Sequence, residues 1–190
     1  MAVNDTICVP DLADLDAAAS CDELDNMGGI ANVWVNYWEN IKTFPERPRL
    51  SAEAKTFDDA GKWQGDFVCE QGKPFMHFSF KDEAASLTFQ EQGEKGSLKV
   101  LHTLTVSRNK IESIVAGFTN AVRNSKLVIV VEDNNGVKYI LGDKRVPCYM
   151  ATGQTSTVGE KREDTSLLNL QFEYTCTRLL TFEGSLGTTE

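Results

Sequence analysis

The sequence predicts a mainly β fold, an antiparallel β-sandwich or barrel with one packed α-helix. A continuous apolar run at 127–131 is followed by a turn signal and a second apolar segment, which is typical of a β-hairpin. Residues 168–174 alternate between apolar and polar side chains, as a half-buried antiparallel strand does. Only one stretch, about 109–124, has helical periodicity. The regular strand–helix alternation of a doubly wound sheet is therefore missing.

The hairpin is the clearest local signal. Because the run 127–131 has no polar position, we expect this strand to be covered on both faces. The turn at 133–136 ends in Asn-Asn-Gly, and these residue types tolerate positive φ. Residues 137–141 return as the partner strand. The alternative interpretation of 132–136 as a calcium loop fails on the spacing of its oxygen ligands.

The predicted helix carries one apolar stripe. Its members fall at i, i+3, i+4, i+7 and i+11, and they are Ile111, Ile114, Val115, Phe118 and Val122. Asn109 with Glu112 three residues later is similar to a capping box, which predicts a start at Asn109. Phe118 lies at the centre of the stripe. Gly117 costs roughly 1 kcal/mol relative to alanine inside a helix, so we expect close packing against it.

These elements divide the chain into three parts. Residues 1–29 form an N-terminal arm that ends at Gly28-Gly29, residues 30–183 form the β domain, and residues 184–190 form a small polar C-terminal tail. A polar, Gly-bearing stretch at 153–165 predicts a long exposed loop before the last long strand, and such loops are often contact elements.

The charge balance is acidic. The chain has 28 Asp and Glu against 19 Lys and Arg, a formal net charge of −9. This balance disfavours sequence-specific nucleic-acid binding and adhesion to anionic membranes. Much of the charge lies in the arm, at Asp11, Asp14, Asp16, Asp22, Glu23 and Asp25. The arm is either a solvated, mobile segment or one that becomes ordered against a partner subunit, and we favour the second interpretation.

The cysteines indicate a reducing compartment. All five, Cys8, Cys21, Cys69, Cys148 and Cys176, are scattered and form no C-x-x-C pair. This pattern argues against a disulfide framework and against a zinc site. The first residues lack the pattern of a signal peptide, and no apolar stretch approaches the ~20 residues that span a bilayer. We expect a protein that is made in a reducing cytoplasm and does not enter a membrane.

No residue pattern predicts catalysis, so we expect a protein that is not an enzyme and that holds no metal or cofactor. His77 and His102 lie in predicted strands without a partner that would make either a general base. Cys69 lies in an apolar strand beside Glu70, where both burial and the carboxylate would raise its pKa, so a buried inert thiol is favoured. The aromatic residues Trp34, Tyr37, Trp38 and Trp63 are interpreted as core or interface residues, with a ligand cavity as the alternative.

Residues 124–142, which contain the hairpin, resemble a segment common in virion structural proteins of tailed phages of gut Bacteroidetes, crAss-like phages among them. The surroundings also fit. Gly28-Gly29-Ile30 leads into a strand with Trp34, Gly96-Ser97-Leu98 opens the strand before the helix, and Ala151-Thr152-Gly153 begins the loop. The resemblance covers roughly residues 28–180, and the charged stretch 159–164 departs from it.

The resemblance implies a tail-tube-like β-sandwich with one helix. It implies a homo-oligomeric ring or tube in the virion tail or neck, which contacts adjacent virion proteins and lets DNA pass through without specific binding. An acidic channel wall would repel the DNA. Two alternatives remain open at this point: a β-barrel that binds a small hydrophobic ligand, and a virion decoration protein.

Overall fold

The computed structural model describes residues 27–48, 60–81, 83–109, 111–153, 155–157 and 166–189. The strands are β1 (Ile30–Tyr37), β2 (Ile41–Thr43), β3 (Lys62–Trp63), β4 (Val68–Cys69), β5 (Met76–His77), β6 (Ala85–Gln92), β7 (Lys99–Asn109), β8 (Leu127–Asp133), β9 (Lys138–Leu141), β10 (Tyr149–Met150), β11 (Leu167–Cys176), β12 (Thr181–Phe182) and β13 (Thr188–Thr189). One α-helix, α1 (Ser113–Val122), follows β7, and Trp38–Asn40 form a 3-10 turn.

Two sheets build a sandwich, which confirms the predicted β-sandwich with one helix and not the barrel alternative. The larger sheet has the order β3-β12-β9-β8-β1-β5, and the second has the order β10-β11-β7-β6. A small third sheet, β13-β4-β2, lies beside them. All pairings are antiparallel except β12 with β3 and β13 with β4. Antiparallel sheets commonly have one buried face and one solvated face, and their strands then alternate between apolar and polar residues.

The first core fills the space between the two sheets. Alternate residues of β7 and β11 point into it, including Leu104, Leu170, Phe172 and Tyr174. The predicted alternation at 168–174 is therefore confirmed. Burial of each large apolar side chain contributes roughly 1.5–3 kcal/mol, so this layer is a main source of stability.

The second core lies on the opposite face of the larger sheet. Val128 and Val130 point into it from β8, whereas Leu127, Ile129 and Val131 point into the first core. The expectation that this strand is covered on both faces is confirmed. Aromatic rings dominate the second core: the ring of Phe67 lies at centroid distances of 5.1, 5.5 and 6.1 Å from Phe75, Phe182 and Phe44.

The helix is shorter than predicted. Asn109 is the last residue of β7 and pairs with Leu167, so it does not cap the helix, which begins at Ser113. Val115 and Val122 are the buried members of the stripe, whereas Phe118 is half-buried and packs on Phe78 at 5.3 Å between centroids.

Two other helix positions also differ from expectation. Ile111 is partly exposed, and the Ile114 side chain is 76% exposed. A Cβ at Gly117 would meet nothing within 4 Å, so close packing does not explain this glycine. Only one narrow side of the helix therefore rests on the sandwich.

Both ends of the described chain are tied to the sheets. Residues 27–29 bond to the turn between β8 and β9, and residues 1–26 of the predicted arm lie outside the described residues. Residues 184–189, which the sequence places in a tail, return to the domain. The Ser185 carbonyl accepts from Phe67 N at 3.2 Å, the Leu186 side chain packs on the second core, and β13 pairs with β4.

Candidate functional site

One open edge of the sandwich is formed by β6, the last strand of the second sheet. β6 is hydrogen-bonded to β7 along its whole length, and within the described part of the chain no strand pairs with its other side. Exposed edges are usually guarded by proline, lysine or a β-bulge. β6 has no proline and no lysine, its register with β7 is unbroken, and Glu91 is its single charged residue.

The backbone groups that face outward on this edge follow from the register. Ser107 N donates to Ala84 O at 2.9 Å, directly across the ladder, so the backbone groups of Ser107 point toward β6. Antiparallel ladders alternate between bonded and non-bonded pairs. The residues of β6 whose N–H and C=O groups point away from β7 are therefore Ala85, Leu87, Phe89 and Glu91. Eight outward backbone groups are available to a partner strand.

An apolar groove of about 350 Å³ runs beside this edge. Its lining includes Met27, Leu87, Phe89 and Tyr139. The Phe89 side chain is 38% exposed, and its ring lies 5.2 Å from the ring of Tyr139. A strand added to β6 would cover this groove, so backbone pairing and apolar burial would act together.

The opposite edge of the second sheet is largely covered. Beyond β10, the Ala151 amide donates to Gln171 O at 2.8 Å, and Thr157 exchanges two backbone hydrogen bonds with Leu167 at 2.8 and 3.0 Å. Asn169 Nδ2 donates to Thr155 O at 2.9 Å. The first part of the predicted 153–165 loop thus follows β11, and residues 158–165 lie outside the described residues.

A buried polar cluster lies at the far end of the β8–β9 hairpin. One oxygen of Asp143 forms an ion pair with Arg47 and accepts a hydrogen bond from Tyr174 Oη at 2.8 Å. The other oxygen accepts from the amides of Arg145 and Val146 at 2.6 and 2.8 Å. Because both carboxylate oxygens are occupied, this carboxylate fixes the turn at 143–146.

Beside this cluster opens a cationic cleft of about 680 Å³. Among its described lining residues five are basic: Lys42, Arg47, Lys144, Arg145 and Arg178. The acidic ones among them are Glu46 and Asp143, and Asp143 forms an ion pair with Arg47. We call the cleft that these residues line the cationic cleft. Excess positive charge in a concave surface concentrates field lines and attracts anions.

The charge of the whole chain is distributed very unevenly. Residues 1–26 contain seven Asp and Glu and no Lys or Arg, so the formal charge of −9 divides into −7 there and −2 for residues 27–190. The acidic balance is thus a property of the arm, and the sandwich itself is close to neutral. The net charge of the chain therefore does not represent the surface charge of the β domain.

The two histidines occupy different environments. His77 is exposed on β5 and its ring Nε2 lies 3.1 Å from Asn32 Oδ1. His102 is 2% exposed in β7, between the rings of Phe89 and Tyr174. Within the described residues neither ring nitrogen of His102 has a hydrogen-bond partner. Burial lowers the pKa of His102 to about 4. The two side chains are far apart in sequence and environment, and they do not form one site.

The three described cysteines, Cys69, Cys148 and Cys176, are buried free thiols, and Cys8 and Cys21 lie outside the described residues. Burial raises the pKa of Cys69, as predicted, although Glu70 is not among the causes. A raised pKa keeps the thiol protonated and unreactive near neutral pH.

Three of the four predicted aromatic residues belong to the second core, and Trp63 also lines the cationic cleft. Trp63 is buried in the second core, and Trp34 and Trp38 pack against it, whereas Tyr37 is at the surface. Trp38 Nε1 donates to Asp143 O at 2.8 Å. Of the residues interpreted as core or interface, Trp34, Trp38 and Trp63 lie in or against the core.

The described residues contain no group of three or more His, Cys, Asp or Glu side chains placed to hold a metal ion. None of the described helices has the length and apolar character that crossing a bilayer requires.

Comparison with known proteins gives no relative: no protein-family model matches the chain, and neither a curated protein sequence nor a solved structure resembles it at a significant level.

Proposed function

We propose that this protein is a structural subunit of a phage tail or neck, which forms a homo-oligomeric ring or tube around the DNA channel. The observation that carries the proposal is the unguarded β6 edge. An eight-residue strand with outward N–H and C=O groups, next to an apolar groove, is suited to pairing with another chain.

The arrangement of the edges favours a closed assembly over a two-fold dimer. A ring repeats one heterologous interface, so each subunit needs two different faces. The second sheet has such a pair of faces, since its β6 edge is open and its β10–β11 edge is lined by residues 151–157. The phage assignment rests on the resemblance of residues 28–180 and on the sandwich-with-one-helix fold that it implies.

The hydrophobic-ligand carrier is the weaker candidate. The sheets do not close into a barrel, and aromatic side chains fill the second core. The cationic cleft is lined largely by charged side chains, which do not suit an apolar ligand.

The decisive experiment measures the mass and shape of the purified full-length chain by analytical ultracentrifugation and electron microscopy. We expect closed rings or short tubes rather than 21.0 kDa monomers. Glu91→Pro should weaken assembly at least ~tenfold, because the proline removes an outward N–H without breaking the ladder with β7. Glu91→Ala is the matched control, because it removes the carboxylate but keeps the N–H, and it should assemble normally.

The DNA channel gives an independent test. The assembled ring should not retain duplex DNA at ~0.15 M salt, since a conduit that formed many phosphate contacts would hold its cargo. A lumen lined mainly by Lys and Arg would contradict the channel assignment. A subunit that remains a monomer on the outside of the particle would instead support the decoration role.

A further inference from the structure

The cationic cleft and the start of the described chain lie at opposite ends of the same hairpin. Met27 bonds to Asn135 in the β8–β9 turn, whereas Asp143 follows β9 at its other end. β8 has seven residues, which corresponds to about 20 Å at the usual rise per residue. Met27, where the described chain begins, therefore lies at the end of the hairpin away from the cleft.

Hydrogen bonds and packing hold several basic residues of the cationic cleft in position. Lys144 and Arg145 are exposed on the turn that the Asp143 carboxylate holds by two backbone hydrogen bonds. Arg178 Nη1 donates to Pro48 O at 2.6 Å, and the Arg47 guanidinium lies 5.6 Å from the centre of the Trp63 ring. Cations that are already positioned lose less conformational entropy when an anion binds.

We propose that the cationic cleft binds the acidic N-terminal segment, residues 1–26, of a second copy of the chain. The inference rests on the proposed assembly and identifies one of its contacts. Charge complementarity supports it, because the segment carries seven carboxylates and no basic residue, and the cleft has an excess of basic residues. The proposed assembly favours a neighbouring copy as the source of the segment, since a contact between the segment of one subunit and the cleft of the next is head-to-tail and can close a ring.

The first test uses full-length variants and mixing. The cleft variant is Lys144→Glu with Arg145→Glu, whose side chains are exposed and lie outside the buried cluster. The arm variant changes Asp16, Asp22, Glu23 and Asp25 to Lys. Each variant alone should self-associate at least ~tenfold more weakly than the wild type in sedimentation. An equal mixture should regain association, because the acidic arm of one variant meets the basic cleft of the other.

The control is Lys81→Glu with Arg123→Glu, which makes the same change in net charge at exposed positions outside the cleft. It should assemble like the wild type. If the cleft variant also assembles like the wild type, the inference is overturned while the proposed ring stands. If mixing does not restore association, the contact between two copies is likewise overturned.

A second test separates this contact from ring formation. A fluorescent synthetic peptide of residues 1–26 is titrated onto the full-length arm variant, with and without the two cleft substitutions. We expect saturable binding that weakens at ~0.5 M salt, as exposed charges are then screened, and at least a ~tenfold loss on the cleft substitutions. Peptide binding would support the contact even if the wild type were monomeric. Absence of binding, or binding of a DNA oligonucleotide in its place, would overturn it.

Discussion

The side-chain amide of Asn135 hydrogen-bonds both backbone groups of Met27. Met27 N donates to Asn135 Oδ1 at 2.8 Å, and Asn135 Nδ2 donates to Met27 O at 3.1 Å. Asn134 Nδ2 adds a bond to Gly28 O at 2.7 Å. The Asn135 side chain thus bonds to the Met27 N–H and C=O in the way that the backbone of a neighbouring strand would. The turn that closes the hairpin thus also holds residues 27 and 28, the first described residues of the chain.

This relationship predicts the effect of Asn135→Ala. The substitution removes both bonds to Met27, and we expect a loss of ~1 kcal/mol in the free energy of unfolding, because the bonds are exposed to water. Hydrogen exchange should show lost protection at the Met27 amide. Asn124→Ala, at an exposed position after α1, is the matched control and should change neither quantity. Unchanged protection at Met27 in the Asn135 variant would contradict the anchoring role.

The helix stripe gives a prediction on core packing. Phe118→Ala should lower the free energy of unfolding by ~2 kcal/mol, less than the ~3–5 kcal/mol of a fully buried phenylalanine, because its ring is half-buried against Phe78. Ile114→Ala in the same helix should cost below ~0.5 kcal/mol, since that side chain is exposed. Urea unfolding of both variants measures the difference. Equal losses would mean that the helix buries a different face.

The hairpin could be predicted from the sequence because all of its information is local. Its two apolar strands and the turn that joins them lie within fifteen consecutive residues, 127–141, so the pattern is visible in one short stretch of sequence. Asp133 also caps the turn, since its Oδ1 accepts from the amides of Asn135 and Val137 at 2.9 and 2.8 Å. Gly136 adopts the positive φ of 81° that the turn requires.

The helix start could not be predicted in the same way. Asn109 and Glu112 have the spacing of a capping box, but Asn109 pairs with Leu167, which is 58 positions later in the sequence. Pairing of β7 with a distant strand outweighed a local preference worth ~1 kcal/mol. No local pattern could reveal this competition.

The candidate surfaces depend even more on topology. The cationic cleft combines residues 42–48, 143–145 and 177–178, and each segment alone is an ordinary polar connection. The sequence shows the alternation of Leu87 and Phe89 in β6, but not that β6 is the last strand of its sheet. Only the strand order turns these residues into an open edge.

His102 is the buried polar side chain with no compensating partner among the described residues. It lies in the first-core face of β7, with its ring 4.9 Å from Phe89 and 5.4 Å from Tyr174. Protonation would place an unpaired charge among apolar neighbours, which explains why burial lowers the pKa of His102 to about 4.

The stability of the fold should therefore decrease in mild acid. The unfolded histidine has a pKa of about 6.5, so between about pH 6.5 and 4 the unfolded state binds a proton that the folded state does not. The free energy of unfolding should fall by up to ~3 kcal/mol across this window, and the contribution of His102 should stop changing below about pH 4. Urea unfolding of wild type and His102→Leu at several pH values measures this contribution as the difference between the two curves. Parallel curves for wild type and His102→Leu would show that His102 titrates normally, and would contradict its burial as a neutral side chain.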